Sequence, residues 1–374
     1  MKFSEVIGNQ DIKHGLIQAV KNGRVPHAQL IASREGGGNL AMALAYVQYL
    51  FCTNRGEEDS CGECSACKKV QNLAHPDLMF TFSIAKSEKV KTSSDSYIKE
   101  FREAVVGNPY LSISEWMEAA NLSGKKPTIY AEQCNEIIGK MSMTPYEAET
   151  KVMVVWLAET LYHAAVPKLL KIVEEPPAKS IFLFVSNKPE DILATILSRT
   201  QLIKLKKISE FEMLEALLDP FNLEMEKAKE VVSLADGDFN LARKLASEPE
   251  DTAYNYQFRQ MMNAAYGNNV EQIFVETANI AGFTKDKLIG FFNYSVRMLR
   301  ECLIYSAGIQ ELNNLSANEK DLVMRFAGKI NPVILSQIAD LFEKGVYQIG
   351  RNANVKILVS HIIMKIAEII RLQK

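Results

Sequence analysis

The chain has 374 residues, 47% of them hydrophobic and 24% charged, a globular composition at a length that suits two or three domains. Its formal net charge is −2 and its pI about 6.3, so it lacks the basic footprint of proteins that hold nucleic acid alone. Work near DNA would be as one member of a larger assembly. No apolar run reaches the roughly 18 residues of a membrane span, and the opening MKFSEVIGNQ has no basic-then-apolar leader. The expected location is the cytoplasm, with no membrane partner.

The first half alternates short apolar runs with helical patterns, as a parallel α/β sheet with flanking helices does. Strands are predicted at Gln29–Ala32, Leu78–Phe82, Val152–Leu157 and Ile181–Val185. The last two are near-continuous apolar runs, the pattern of strands covered on both faces. The segment from Ser83 to Pro127 holds KSEKVKTSSDS and reads as an insertion, partly helical around Tyr97–Val106. A helix over Ala164–Glu175 is stopped by Pro176 and Pro177. Strand signals fade after Lys207. Ile208–Glu248 reads as a small helical unit, and Pro249 to the end is helical throughout, closing on a segment with a wide apolar face.

Between the first predicted strand and the next helix lies SREGGGNLAMALA, Ser33 to Ala45. A phosphate-binding loop at this place reads G-x-x-x-x-G-K-[ST]: glycines let backbone N–H groups curl around phosphates, the lysine reaches the β/γ-phosphates and the hydroxyl holds Mg²⁺. Aligned on Gly36 and Gly38, the first glycine position is Ser33, the lysine position Asn39 and the hydroxyl position Leu40. The bend is kept and the chemistry is not, so no ATP is expected to bind. A plain glycine-rich turn is the alternative for this loop taken alone.

In P-loop ATPases a second strand ends in carboxylates that orient Mg²⁺ and the attacking water. Here the strand runs KVMVVWLAE, which places Leu157 and Ala158 at those positions, followed by Glu159. A lone glutamate without the metal-binding partner reads as a surface residue at a strand end. In LADGDFNLARKLA, the position two after Asp238, where a nucleotide-sensing arginine would stand, is Asn240. Three contacts to one ligand are missing together, which points to abandonment of that ligand.

Cys52, Cys61, Cys64 and Cys67 form C-x₈-C-x₂-C-x₂-C. Two-residue spacings fold into knuckles that bring thiolates together around tetrahedral Zn²⁺, and four sulfurs leave no open position, so a structural zinc is expected. Disulfides or unrelated buried thiols are the alternatives. His75 follows the module and has no vacant place in such a shell. Cys134 and Cys302 stand alone in helical patterns and read as core residues. The basic clusters Lys68-Lys69 and Lys204–Lys207 read as solvated surface, with DNA-backbone contact the minority reading.

Several segments resemble the bacterial clamp-loader family of AAA+ proteins. They are FSEVIGNQDIKHGLIQAVKNGRVPHAQLI near the start, HPDL at His75–Leu78, LLKIVEEPP at Leu169–Pro177, and DILATILSRTQ at Asp191–Gln201, where Thr200 replaces the family's cysteine. The resemblance covers 1–82 and 127–248; the C-terminal helices match only in length and helical character. It implies an AAA+ domain over 1–207 carrying the zinc module (52–67) and the insertion (83–127). A helical lid over 208–248 and a helical oligomerisation domain over 249–374 would follow. It implies that Arg199, with Ser198, is an arginine finger reaching a neighbour's ATP, the alternative being a surface arginine paired with a nearby acid. The motor subunits of the family, gamma and tau, keep the loop lysine. The implied role is therefore that of a subunit without its own ATP, partnered by gamma/tau and delta, acting on a sliding clamp and primed DNA. Such a chain is a component of a polymerase holoenzyme with no enzymatic activity alone. Two other readings are an active ATPase with an unusual loop and a zinc-binding DNA adaptor outside a loader.

Overall fold

The computed structural model describes residues 1–86, 92–123, 125–162, 166–221, 223, 225–247, 251–308, 315, 317–351 and 353–372. Five strands, β1 (Ala28–Ala32), β2 (Leu78–Phe82), β3 (Lys151–Trp156), β4 (Ser180–Ser186) and β5 (Gln201–Lys204), form one sheet in the order β2-β3-β4-β1-β5. Every pairing is parallel, with Ala28 opposite Phe182, Gln29 opposite Gln201, Leu78 opposite Val152 and Lys151 opposite Ser180. Parallel strands need crossovers. These are supplied by α2 (Asn39–Phe51), α3 (Ser65–Gln71), α4 (Ile98–Gly107), α5 (Ile113–Ala119), α6 (Ala131–Met141), α7 (Val166–Glu174) and α8 (Ala194–Leu197), while α1 (Gln10–Lys21) precedes β1.

The four predicted strands are present within a residue or two of their expected ends. The fifth, β5, escaped prediction. Its side chains are mostly exposed and it pairs only with β1, so QLIK carries no buried apolar signature. β1, β3 and β4 are buried along their whole length, as their continuous apolar runs require. Under the sheet, Phe182, Phe184, Met153 and Val155 pack against Ile137 of α6 and Leu169 of α7. The predicted start of the latter helix at Ala164 lies outside the described residues; the Pro176-Pro177 stop holds.

The stretch after Ser83 is no loose insertion in its described portion. Its α4 and α5 bury Phe101 and Trp116 completely. Phe101 stacks on Phe82 of β2, centroids 4.1 Å apart and 10° from parallel, and Trp116 meets Phe82 edge-on at 4.9 Å. The Trp116 indole N–H donates to the Ser83 carbonyl at 2.7 Å, so the ring is buried with its one polar atom satisfied. Of that segment, 87–91 and 124 lie outside the described residues.

Beyond β5 come α9 (Glu210–Phe221), α10 (Met225–Ala235), α11 (Phe239–Ser247), α12 (Asp251–Gly267), α13 (Val270–Ala281), α14 (Lys285–Ser306), α15 (Ala317–Ala327), α16 (Pro332–Gly350) and α17 (Val355–Arg371). The contacts divide the chain into two compact units: Met1–Ala216 with Gly237–Asn240, and Leu217–Asp236 with Leu241–Lys374. The expected boundary at Glu248-Pro249 lies outside the described residues. In the second unit, α14 and α16 approach so closely that a Cβ on Gly345 would stand 2.6 Å from the Phe292 ring. Asn331 caps α16 through Val333 N–H, with Pro332 at the first helical position. The apolar face predicted for the last segment is the buried face of α17, from Leu358 through Ile370.

Candidate functional site

Three constellations were expected: a dismantled phosphate loop, a cysteine cluster and an arginine turn. The loop is where the pattern placed it, between β1 and α2, with Gly36 and Gly38 at φ of 69° and 84°. Only glycine takes that conformation without strain. Asn39 opens α2 and is buried. Its side-chain amide donates to the Ser186 carbonyl at 2.7 Å and to Asn187 Oδ1 at 2.8 Å, and its oxygen accepts the Leu40 N–H at 2.7 Å. Where a lysine would reach outward to phosphate, a neutral amide ties the loop to the end of β4. Leu40 is buried in apolar contact, and Ser33 turns its hydroxyl onto the Arg34 carbonyl at 2.7 Å.

Other segments of the chain lie close against the loop. A Cβ on Gly38 would lie 2.8 Å from the Tyr110 ring, and one on Gly36 would lie 1.8 Å from Asp238 Oδ1. The Gly36 carbonyl accepts the Phe239 N–H at 3.1 Å. Asn240, at the place of the sensing arginine, donates to Glu115 Oε2 at 2.6 Å and accepts from Asn108 Nδ2 at 2.6 Å.

β3 stops at Trp156. Leu157 adopts a left-handed φ of 60° and Ala158 begins a short 3₁₀ turn; both are buried. The end of β3 thus carries a buried apolar pair. Glu159 corrects the expectation of a surface glutamate. Its Oε1 accepts the Asn187 N–H at 3.2 Å, while Oε2 is buried without a hydrogen-bond partner. Burial raises its pKa against the opposing pull of those bonds. Asn187 escaped prediction, although a polar residue directly after the buried IFLFVS run stands at the carboxyl end of a strand, where open α/β sheets gather ligands.

The four cysteines converge, with all Sγ atoms within 4.8 Å of one another. Tetrahedral zinc with bonds of about 2.3 Å needs sulfur–sulfur edges of about 3.8 Å. The observed Cys52–Cys61 and Cys61–Cys67 separations are 3.5 and 3.9 Å. The knuckle N–H groups of Cys61 and Cys64 donate back to the Sγ atoms of Cys52 and Cys61 at 3.3 Å each, and Gly62 supplies the left-handed turn. The donor set therefore fits a four-thiolate metal shell. Burial would raise the Cys64 thiol, yet hydrogen bonds from Cys67 and Thr53 bring it down to about 5, while burial pushes Cys52 and Cys67 up. The module also holds the start of the chain: Asp59 accepts the N–H groups of Phe3 and Ser4 at 3.0 and 2.9 Å.

His75 is no ligand. It is buried against Phe51, and its Nδ1 accepts the Asp77 N–H at 3.1 Å. Asp77, from the same HPDL segment, accepts three backbone N–H groups, those of Tyr146, Glu147 and Ala148, at 2.6 to 2.8 Å. Burial pulls its pKa up, and these bonds outweigh it and hold the carboxyl low. Cys134 and Cys302 are core residues whose thiols burial raises to about 11 and about 12. Lys69 pairs with Glu147 and Lys206 with Asp11, both at the surface.

Arg199 lies in the turn after α8. Its Nε donates to Glu174 Oε2 at 3.0 Å, and Nη1 donates to the Thr195 carbonyl at 3.1 Å and the Ser198 hydroxyl at 3.2 Å. The fold thus brings LLKIVEEPP and DILATILSRTQ together through one partly exposed ion pair.

The family model described as "DNA polymerase III, delta subunit" matches residues 8–209. The delta-prime subunit of Yersinia pestis is 31% identical over 186 residues, 49% of this chain and 43% of that protein. The Escherichia coli delta-prime subunit is 29% identical over 189 residues, 50% and 44% of the two chains. The tau subunit of Bacillus subtilis is 23% identical over 252 residues, 66% and 37%. The matches span less than half the length of each of these relatives. A gamma-subunit-related protein of Thermotoga maritima aligns over 96% of this chain and 100% of its own at 13% identity, with a TM-score of 0.39, too low to carry weight. With more than half of its length matched by that one model and delta-prime relatives alongside, the chain belongs to the DNA polymerase III delta-subunit family.

Proposed function

We propose that this chain is the delta-prime-type subunit of a clamp loader, taking up no ATP itself and presenting Arg199 to a neighbouring ATPase subunit of the gamma/tau type. The observation that most supports the ATP-inert reading is the bonding of Asn39. The group at the lysine position is a neutral amide whose two hydrogens go to Ser186 and Asn187, so no ammonium stands there to meet a triphosphate. Leu157 and Ala158 offer no side-chain oxygen to Mg²⁺. The alternative of a working ATPase requires those groups.

Arg199 suits a role in trans because it is tethered lightly. An exposed ion pair such as that with Glu174 is worth about 0–1 kcal/mol, whereas a guanidinium delivered to a γ-phosphate is worth about 10³–10⁵ in rate. Leaving the carboxylate therefore costs little, and Arg's fork suits carboxylate and phosphate oxygens alike. A structural zinc in the Cys52–Cys61–Cys64–Cys67 shell would brace the start of the chain through Asp59. In this reading 208–248 acts as a lid and 249–374 as the ring-forming domain. Partners are gamma/tau and delta, with sliding clamp and primed DNA reached through the complex, in the cytoplasm. Polymerase chemistry belongs to other chains.

Two measurements test this. Calorimetric titration of Mg-ATP into the pure chain should give no saturable heat. In a reconstituted loader, Arg199→Ala should lower DNA-stimulated hydrolysis by the partners about 10³-fold while the ring still forms; an unchanged rate would remove the finger.

A further inference from the structure

The segment between β2 and α6 is larger than bridging two strands requires, and one stretch of it is aimed at the phosphate loop. Tyr110 is buried. Its hydroxyl accepts the Ile7 N–H at 2.9 Å, its ring lies against Gly38, and it meets Phe239 edge-on with centroids 5.0 Å apart. On one side of it Asn108 holds Asn240; on the other Glu115 holds Asn240 as well, and the Ile113 N–H donates to Glu35 of the loop at 2.9 Å. Glu115 itself caps α5 through Ser112. Residues 108–115 thus join three places at once: the N-terminal box at Ile7, the glycine loop at Glu35 and Gly38, and the sensor position at Asn240. A nucleotide held by such a loop and sensor would have to lie between the same groups.

We propose that Asn108–Glu115 is a built-in occupant of the former nucleotide cleft, with Tyr110 as the plug that excludes a triphosphate independently of the lost lysine. The proposal rests on the reading that the chain takes up no ATP, and adds a second, steric barrier to the chemical one. An aromatic ring that fills the loop's concave side must leave before phosphates can enter, so any affinity is reduced by the fraction of molecules in which it has left. It also makes the contacts among Ile7, the loop and Asn240 permanent, where in an ATP-binding relative they would depend on ligand.

The test rebuilds the chemistry with and without the plug in the full-length chain. Mg-ATP is titrated calorimetrically into the native chain, into Ser33→Gly/Asn39→Lys/Leu40→Thr, and into that variant carrying Tyr110→Ala in addition. Saturable binding by the last, at least about tenfold tighter than by the loop-restored chain with Tyr110 in place, is the expected result. Equal affinity of the two restored chains, or binding by neither, overturns the plug. Binding by the native chain would instead overturn the ATP-inert reading, so the two failures are distinct. Should the Tyr110→Ala chain lack a cooperative melt, amide exchange decides. Tyr110→Phe keeps the ring and removes the oxygen, and exchange at Ile7 should quicken about three- to tenfold, as for loss of one net hydrogen bond; unchanged protection at Ile7 overturns the proposed contact.

Discussion

Helix α2 begins at the glycine loop and ends at Cys52, the first residue of the cysteine cluster, so two candidate ligand sites stand at the two ends of one rod. At its start, every polar side chain named in the loop has a partner within the chain: Asn39 on β4, Glu35 on Ile113, Ser33 on Arg34. A helix N-terminus would otherwise attract phosphate through its unpaired N–H groups and dipole. At its end, four sulfurs face one another at distances suited to a common ion, with backbone N–H groups as weak additional partners. Both places carry the backbone shape of a ligand site, left-handed glycines included. What separates them is convergence: the cluster's four sulfurs face a common point, whereas the side chains of Ser33, Glu35 and Asn39 are turned onto the chain itself.

Removing the metal would break this contrast most strongly. Structural Zn²⁺ sites contribute on the order of 10 kcal/mol of binding free energy that is also folding free energy. The protein as purified should hold zinc with the four cluster thiols protected from alkylation. Chelation, or Cys64→Ser, should release it and lower the melting transition sharply. Retained stability with all four thiols reactive would reduce the cluster to buried cysteines.

A smaller effect is expected at the other end of the helix. Asn39→Ala removes the side-chain bonds to Ser186, the last residue of β4, and to Asn187 after it, and should cost about 1–3 kcal/mol in chemical denaturation. ATP uptake should stay absent, because the amide braces the loop and grips no ligand.

The smallest effect concerns Glu159. Its folded pKa is raised, so the stability it adds is present below the unfolded value of about 4.3 and is lost as pH rises through the folded value. At neutral pH the half-paired carboxylate is a burden. Glu159→Gln should raise the melting temperature slightly at pH 7 and give no gain below about pH 4. A loss at pH 7 would mean that the charge is held by groups yet to be identified.

Much of this was legible in the chain's letters. A continuous apolar run such as VMVVW becomes a strand covered on both faces because nothing else lets it leave water, and β3 is buried throughout. Cysteine spacing is local, so the knuckles could be read without any long-range contact. The same holds at the glycine loop and the end of β3: Asn39, Leu40, Leu157 and Ala158 carry neither an ammonium nor a carboxylate wherever they are placed. β5 was not legible, since its exposed residues become a strand only by pairing with β1.

The burial of Glu159 and the placing of Tyr110 were decided by tertiary structure alone. Glu159 is enclosed because the chain returns at Ser186-Asn187. Tyr110 reaches Ile7, 103 residues away in sequence, and Phe239 from the far side. No periodicity or spacing records such meetings. The letters determine which atoms a position can offer; the fold determines whether those atoms remain free to be offered.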